Sequence, residues 1–355
     1  MAYTSIDDPS GTAFNTVLYT GNGGTQTITG VGFQADWLWF KERSVSGNHQ
    51  ILDSVRSSFT KNLITNSTGA EGTTSTYITS VNSDGFALGT NNAINQSGVS
   101  NVAWCWKAGG SASSNTDGSI TSTVSANTTA GFSIVSYTGT GSNATIGHGL
   151  GSVPAWIITK NRDATQPWRI YHKGVDASAP EDYGMILNDT SVRDNDNTAW
   201  NDTAPTSSVF SVGSSANTNN GSDDFIAYCF AEKKGYSKFG SYIGNGNANG
   251  TFVYTGFKPA MIIFKNTGTS NRQWQLLDNK RSSSGGNNVI NITISPNNNN
   301  DESWWGTNNY ADFLSNGFKL RASYDGVNEG SGNYIYMAFA ESPFVNSSGV
   351  PTTAR

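Results

Sequence analysis

The sequence predicts an all-β fold of three tandem antiparallel β-sandwich (jelly-roll-like) repeats, and three observations carry that reading. Its apolar segments are short, rich in Ile, Val, Phe, Tyr and Trp, and separated by Gly, Asn, Ser and Thr, which is how strands joined by turns read. No window holds a helical stripe of useful length. Most informative, six landmarks recur in one order three times, roughly 100–120 residues apart, the size of one small sandwich domain.

Each copy opens on a glycine turn: Tyr19-Thr20-Gly21-Asn22-Gly23, Tyr137-Thr138-Gly139-Thr140-Gly141 and Tyr242-Ile243-Gly244-Asn245-Gly246. An apolar run ending in lysine follows, at Trp37–Lys41, Trp156–Lys160 and Met261–Lys265. Such continuous runs fit strands buried on both faces. Next come His49, Trp168 and Trp274 in one position, then Ile51–Arg56, Ile170–Lys173 and Leu276–Arg281. The copies close on Ser83–Leu88, Ser207–Val212 and Ser315–Leu320, and on Ala103–Ala108, Ala227–Glu232 and Tyr336–Glu341. These landmarks set the expected domains: repeat 1 at 1–108, a Gly/Ser/Thr-rich linker at 109–130, repeat 2 at 131–235, repeat 3 at 236–345 and a tail at 346–355. The short junction Glu232–Phe239 predicts a more fixed relation between copies two and three than between one and two.

Charged residues make up 13% of the chain and the net charge is −5, against roughly 25% charged in an average soluble protein. With no Lys/Arg stripe, the electrostatic footprint of nucleic-acid binding is missing. No apolar stretch nears the ~20 residues of a membrane-crossing helix, and the first residues lack a conventional export signal. A surface of amides and hydroxyls on a chain without an export signal suits a phage structural protein, made in the host cytoplasm and released by lysis.

Candidate chemistry is sparse. The glycine turns lack the helix and the spacing of a phosphate loop and read as hairpin turns. Lys41, Lys160 and Lys265 read as strand-end lysines returning their ammonium to water. Asp53–Arg56 and Asp278–Arg281 read as local ion pairs contributing under about 1 kcal/mol; His172 replaces the aspartate in copy two. Cys105 and Cys229 read as small core residues. The three histidines have no partner at metal-ligand spacing, and no cofactor is expected. Asp194, Asp196 and Asp301 are oxygen donors for calcium in a spacing that matches no defined loop. The segments that vary between copies hold Trp200, Trp304, Trp305 and Tyr310 beside Asn and Asp, which suits ligand or assembly contacts, stacked sugars among them, and equally suits rings that plug the ends of a sandwich or bury at a subunit contact. No catalytic residue is assigned.

The run Gly149–Pro154, the strand into Lys160-Asn161-Arg162, Trp168-Arg169-Ile170-Tyr171-His172 and the segment Ser122–Phe132 together resemble a tandem β-sandwich module of virion structural proteins in marine tailed phages, often labelled tail-fibre-like. The resemblance runs from Ser5 to Phe344 and is nearest in the middle copy. It implies a virion location, a structural role in a tail fibre or appendage serving host attachment, and partners among other virion proteins, further copies of the chain and a host-surface glycan. No nucleic acid and no membrane insertion are expected. Two alternatives stand beside it: a capsid decoration protein and, from a different class, a glycan-degrading tail enzyme.

Overall fold

The computed structural model describes residues 3–282, 288–304, 306 and 308–352. The protein is all-β, its strands forming antiparallel sheets joined by turns and helices of four residues or fewer. Six strands of each copy correspond. They are β1 (Phe14–Thr20), β2 (Gln26–Thr29), β3 (Trp37–Glu42), β4 (Gln50–Asp53), β5 (Gly85–Leu88) and β6 (Ser100–Trp106) in the first. The second has β7 (Phe132–Thr138), β8 (Ala144–Gly147), β9 (Pro154–Asn161), β10 (Arg169–His172), β11 (Val209–Val212) and β12 (Asp224–Ala231). The third has β13 (Ser237–Ile243), β14 (Phe252–Tyr254), β15 (Phe257–Asn266), β16 (Gln275–Asp278), β17 (Gly317–Leu320) and β18 (Asn333–Pro343). The inner sheets run β1-β6-β3-β4, β7-β12-β9-β10 and β13-β18-β15-β16, and the outer pairs are β2-β5, β8-β11 and β14-β17.

Register explains which residues face where. Trp37 pairs with Trp106, Trp156 with Phe230 and Met261 with Phe339. Because side chains alternate across a strand, each inner sheet buries both faces. One face of β3 and β6 (Leu38, Phe40, Ala103, Cys105) packs on the outer pair through Phe86 and Leu88. The other (Trp37, Trp39, Trp104, Trp106) enters a cluster shared with Trp156, Phe230 and Phe339 of the other copies. Ring centroids of Trp106 and Phe230 lie 5.6 and 5.8 Å from that of Phe339. The three inner sheets therefore turn their aromatic faces toward one another, closing the chain around one core. Cys105 and Cys229 are buried free thiols on the opposite face.

The glycine turn of each copy is a crossing between sheets rather than a hairpin, since β1 pairs with β6 and β2 with β5. One buried asparagine clamps each turn. Asn95 accepts from Asn22 N–H at 3.0 Å, Asn219 from Thr140 at 2.8 Å and Asn328 from Asn245 at 2.9 Å. Tyr19, Tyr137 and Tyr242 each donate to a carbonyl one residue before it, all at 2.6 Å. A Cβ on Gly21, Gly139 or Gly244 would fall 2.2–2.3 Å from a carbonyl oxygen; the motif is a packing device.

Within 109–130, expected as a linker, Ser113–Asn115 and Ser122–Asn127 form strands that extend the second inner sheet from the edge of β7. Asp36 of the first copy accepts the N–H groups of Ala108 and Gly110. Ordered backbone hydrogen bonds thus occupy much of a stretch whose Gly/Ser content suggested extension.

Candidate functional site: the three interfaces between copies

The strand-end lysines do not return to water. Lys41, Lys160 and Lys265 are all fully buried, and each reaches a backbone carbonyl of the neighbouring copy: Asn299 at 3.5 Å, Thr68 at 3.2 Å and Thr190 at 3.3 Å. Burial pushes each ammonium down to about 8. A ring nitrogen makes a second crossing. Trp168 donates to Ile64 O and Trp274 to Ile186 O, both at 2.9 Å. His49 takes that role toward Ser295 O at 3.1 Å. Because its Nδ1 accepts from Trp39, Nε2 carries the proton.

The Asp–Arg pairs also cross copies, correcting their reading as surface braces. Arg56 and Asp53 are fully buried, with Nε 2.6 Å from Oδ2. Arg56 continues to Glu71 at 3.1 Å, and Glu71 is gripped by Arg162 of the second copy at 2.9 and 3.0 Å. Tyr228 of that copy donates to Asp53 at 2.7 Å. Between the third and first copies the chain of charges repeats. Asp278–Arg281 stands at 2.6 Å, Arg281–Glu302 at 3.8 Å, and Glu302 holds Arg43 at 2.9 and 2.7 Å. Trp104 donates to Asp278 at 3.0 Å. These two interfaces thus each set two cations and two anions in alternation, the inner pair fully buried and the outer pair part-exposed, so the desolvation of each is offset by its neighbours.

Backbone hydrogen bonds set the equivalence with the remaining interface. Glu71 N–H donates to Arg162 O, Glu302 to Arg43 O and Arg193 to Thr267 O. Between the second and third copies the four positions are therefore His172, Val175, Arg193 and Thr267. The alternating chain is gone. His172 accepts Gly174 N–H on Nδ1 and donates from Nε2 to Tyr336 O at 3.2 Å, and burial pushes it down to about 3.

At that point the surface opens into a cleft of about 440 Å3, lined from one side by Lys173, Val175, Asp176 and Arg193 and from the other by Ser241, Thr267 and Asn333. Arg193 lies with its guanidinium carbon 4.5 Å from the Tyr183 ring centroid. Its Nη1 donates to Val175 O at 2.7 Å and to Asp176 at 2.6 Å. Its Nε and Nη2 carry no bond to any described residue. Lys173 and Lys238 share Glu232 at 2.6 and 2.7 Å. The arrangement is suited to holding an anion among hydroxyl and amide groups.

The aromatic residues singled out from the sequence do not gather here. Trp200 is buried under the second outer pair, 6.0 Å from Tyr171, and Tyr310 is buried against Tyr324. Neither offers a face to a ligand, because each fills the end of its own sheet packing. Trp304 is 65% exposed, and Trp305 lies outside the described residues. Asp194 and Asp196 are held by Arg169 at 2.8–3.2 Å and Asp301 by Ser303, so the three carboxylates do not converge. What the sequence did signal was the loss of aspartate at His172, which marks the divergent interface.

Fold and site thus define an all-β protein whose sheets enclose one core and whose one divergent interface carries a polar cleft. The chain belongs to the family described as a domain of unknown function (DUF7483), whose model matches residues 8–343, through all three copies. No curated protein matches the sequence.

Proposed function

We propose that this chain is a phage virion structural protein, a component of a tail fibre or appendage that contributes to host attachment through weak, multivalent contacts. In this reading it consists of three tandem jelly-roll-like sandwiches, with much of the expected 109–130 linker paired onto the second. The observation that carries it is closure of the inner sheets on one aromatic core, which makes the chain a rigid body with variable loops outside. A rigid body repeated on a particle suits avidity, since several weak contacts made together exceed any single affinity by orders of magnitude. The motif resemblance supplies the virion assignment. We read the chain as non-catalytic: Asp176, the carboxylate lining the cleft, is engaged by Arg193 rather than facing a second acid as glycoside cleavage requires.

A capsid decoration role is the second reading, and one edge favours it. Thr27 and Thr29 of β2 correspond to Thr145 and Gly147 of β8, but to Phe252 and Tyr254 of β14. Those two aromatics are 45% and 54% exposed on an edge strand, as a surface that docks on another subunit would be.

The test is to locate the chain in a cryo-EM reconstruction of the intact particle. Density at the tail periphery is the expected result. Density spread over the capsid lattice overturns attachment in favour of decoration, and absence from the particle overturns both.

A further inference from the structure

We propose that the cleft between the second and third copies binds a carboxylated saccharide, a sugar acid of the uronate kind, with Arg193 as the group that receives its carboxylate. The inference deepens the attachment reading and rests on it for its biological meaning. Its argument lies in the comparison of equivalent positions. At the other two interfaces a glutamate occupies the position of Arg193 and an arginine that of Thr267, so the two side chains neutralise each other and occupy the space between copies. Here the glutamate has become an arginine and the arginine a threonine. The interface has exchanged a pair closed across the seam for a cation that is paired with Asp176 on its own side and leaves its other edge toward open volume.

The volume, about 440 Å3, falls within the ~300–1,000 Å3 of small-ligand clefts. The charged side chains that line it are Lys173 and Arg193 against the single carboxylate of Asp176, with Lys173 also bonded to Glu232 outside the lining. One edge of the Arg193 guanidinium is fixed by Val175 O and Asp176 while its plane rests on Tyr183. The rotamer is therefore held before a ligand arrives, leaving Nε and Nη2 to donate. Two parallel N–H groups match a carboxylate in a fork. The opposite wall offers the Ser241 hydroxyl and the Asn333 amide, which suit a ring bearing hydroxyls better than a simple anion. At Gly174 the two copies pack closely: a Cβ there would stand 3.2–3.3 Å from the His172 ring and the Gly240 backbone.

The experiment titrates the full chain with trigalacturonate, its fully methyl-esterified form and hexaglutamate, followed by calorimetry. Trigalacturonate is expected to bind with a Kd on the order of 1 mM or tighter, and the ester, which keeps every hydroxyl but no carboxylate, at least tenfold more weakly. Arg193→Gln should weaken trigalacturonate about tenfold or more, the effect of losing a charge-assisted hydrogen bond. The double variant Arg193→Glu with Thr267→Arg restores the pair found at the other interfaces. It should abolish binding without lowering the melting temperature, which separates loss of the site from loss of the fold. No binding of trigalacturonate, or equal binding by Arg193→Gln, overturns the site. Equal binding of hexaglutamate overturns the saccharide assignment in favour of an acidic polypeptide. The attachment reading is decided separately on the particle: a virion-located chain with an inert cleft loses only the site, and a binding chain absent from the virion loses only the attachment role.

Discussion

Between the first and second copies, Arg56 touches Asp53, Glu71 and Tyr228 and is fully buried. At the corresponding place between the second and third, Val175 lines an open cleft. Both interfaces are crossed by a buried lysine and an indole N–H, so the backbone scaffold is common and the charges are a separable layer. The difference teaches that contact between copies rests on the aromatic core and the carbonyl crossings. The charge chain closes the seam, and one seam does without it.

Breaking a charge chain gives the largest expected effect. Arg56→Met leaves the buried Asp53 without its cation, while Glu71 keeps Arg162, and should destabilise by about 3–5 kcal/mol, while Val175→Ala should cost no more than about 2 kcal/mol. Denaturant unfolding of the two variants checks this, and equal losses would remove the distinction between closed and open seams. Next comes the crossing common to both. Trp168→Phe and Trp274→Phe each remove one hydrogen bond to a carbonyl of the neighbouring copy, at about 0.5–1.5 kcal/mol, and should cost alike. A much smaller loss for Trp274 would mean that the open seam is also weaker in its backbone crossings.

Acid should act on the open seam through His172. Burial holds its pKa at about 3 in the folded chain against an ordinary value of 6.5. The stability carried by the neutral ring is therefore fully present above about 6.5 and lost as pH falls toward 3. Between pH 6.5 and 5 the loss is about 1.5 kcal/mol. Unfolding measured across that range should show the advantage of wild type over His172→Gln shrinking as pH drops; a constant gap would mean the ring is not buried neutral. The smallest effect is alkaline. Lys160, at about 8 when folded against 10.5, binds fewer protons folded than unfolded between those values, so its contribution improves as pH rises. Wild type should gain about 1 kcal/mol over Lys160→Met between pH 8 and 9. An unchanged difference over that interval would place the ammonium in contact with solvent.

Much of the fold was legible because repetition amplifies weak signals. A single Tyr-x-Gly-x-Gly is ambiguous, but three before β-rich segments specify a turn. Pairings between copies were not legible. Glu71 and Arg162 are 91 residues apart, and nothing local marks either, so Asp53–Arg56 looked like an i, i+3 surface pair when it is the buried start of a longer chain. The lysines misled for the same reason: a strand end faces water in an isolated sandwich, but here it abuts the next copy. Trp200 and Tyr310 sit among Asn and Asp in sequence, and only the closed sheets show that their rings point inward. The asparagine clamps were present in the text at Asn95, Asn219 and Asn328, recognisable once each is seen to precede the closing strand by the same short interval.

Carrying the three inner sheets on one polypeptide has a consequence for how the seams can diverge. Were each copy a separate chain in a symmetric trimer, a change such as glutamate to arginine at position 193 would appear at every seam at once, removing all the charge chains together. Covalent connection confines the change to one seam and holds the partners at an effective concentration on the order of millimolar through a short connection. The junction at Glu232–Phe239 is such a connection, with Lys233 bridging to Ser237. Tethering has turned one of three once-equivalent joints into a place free to vary.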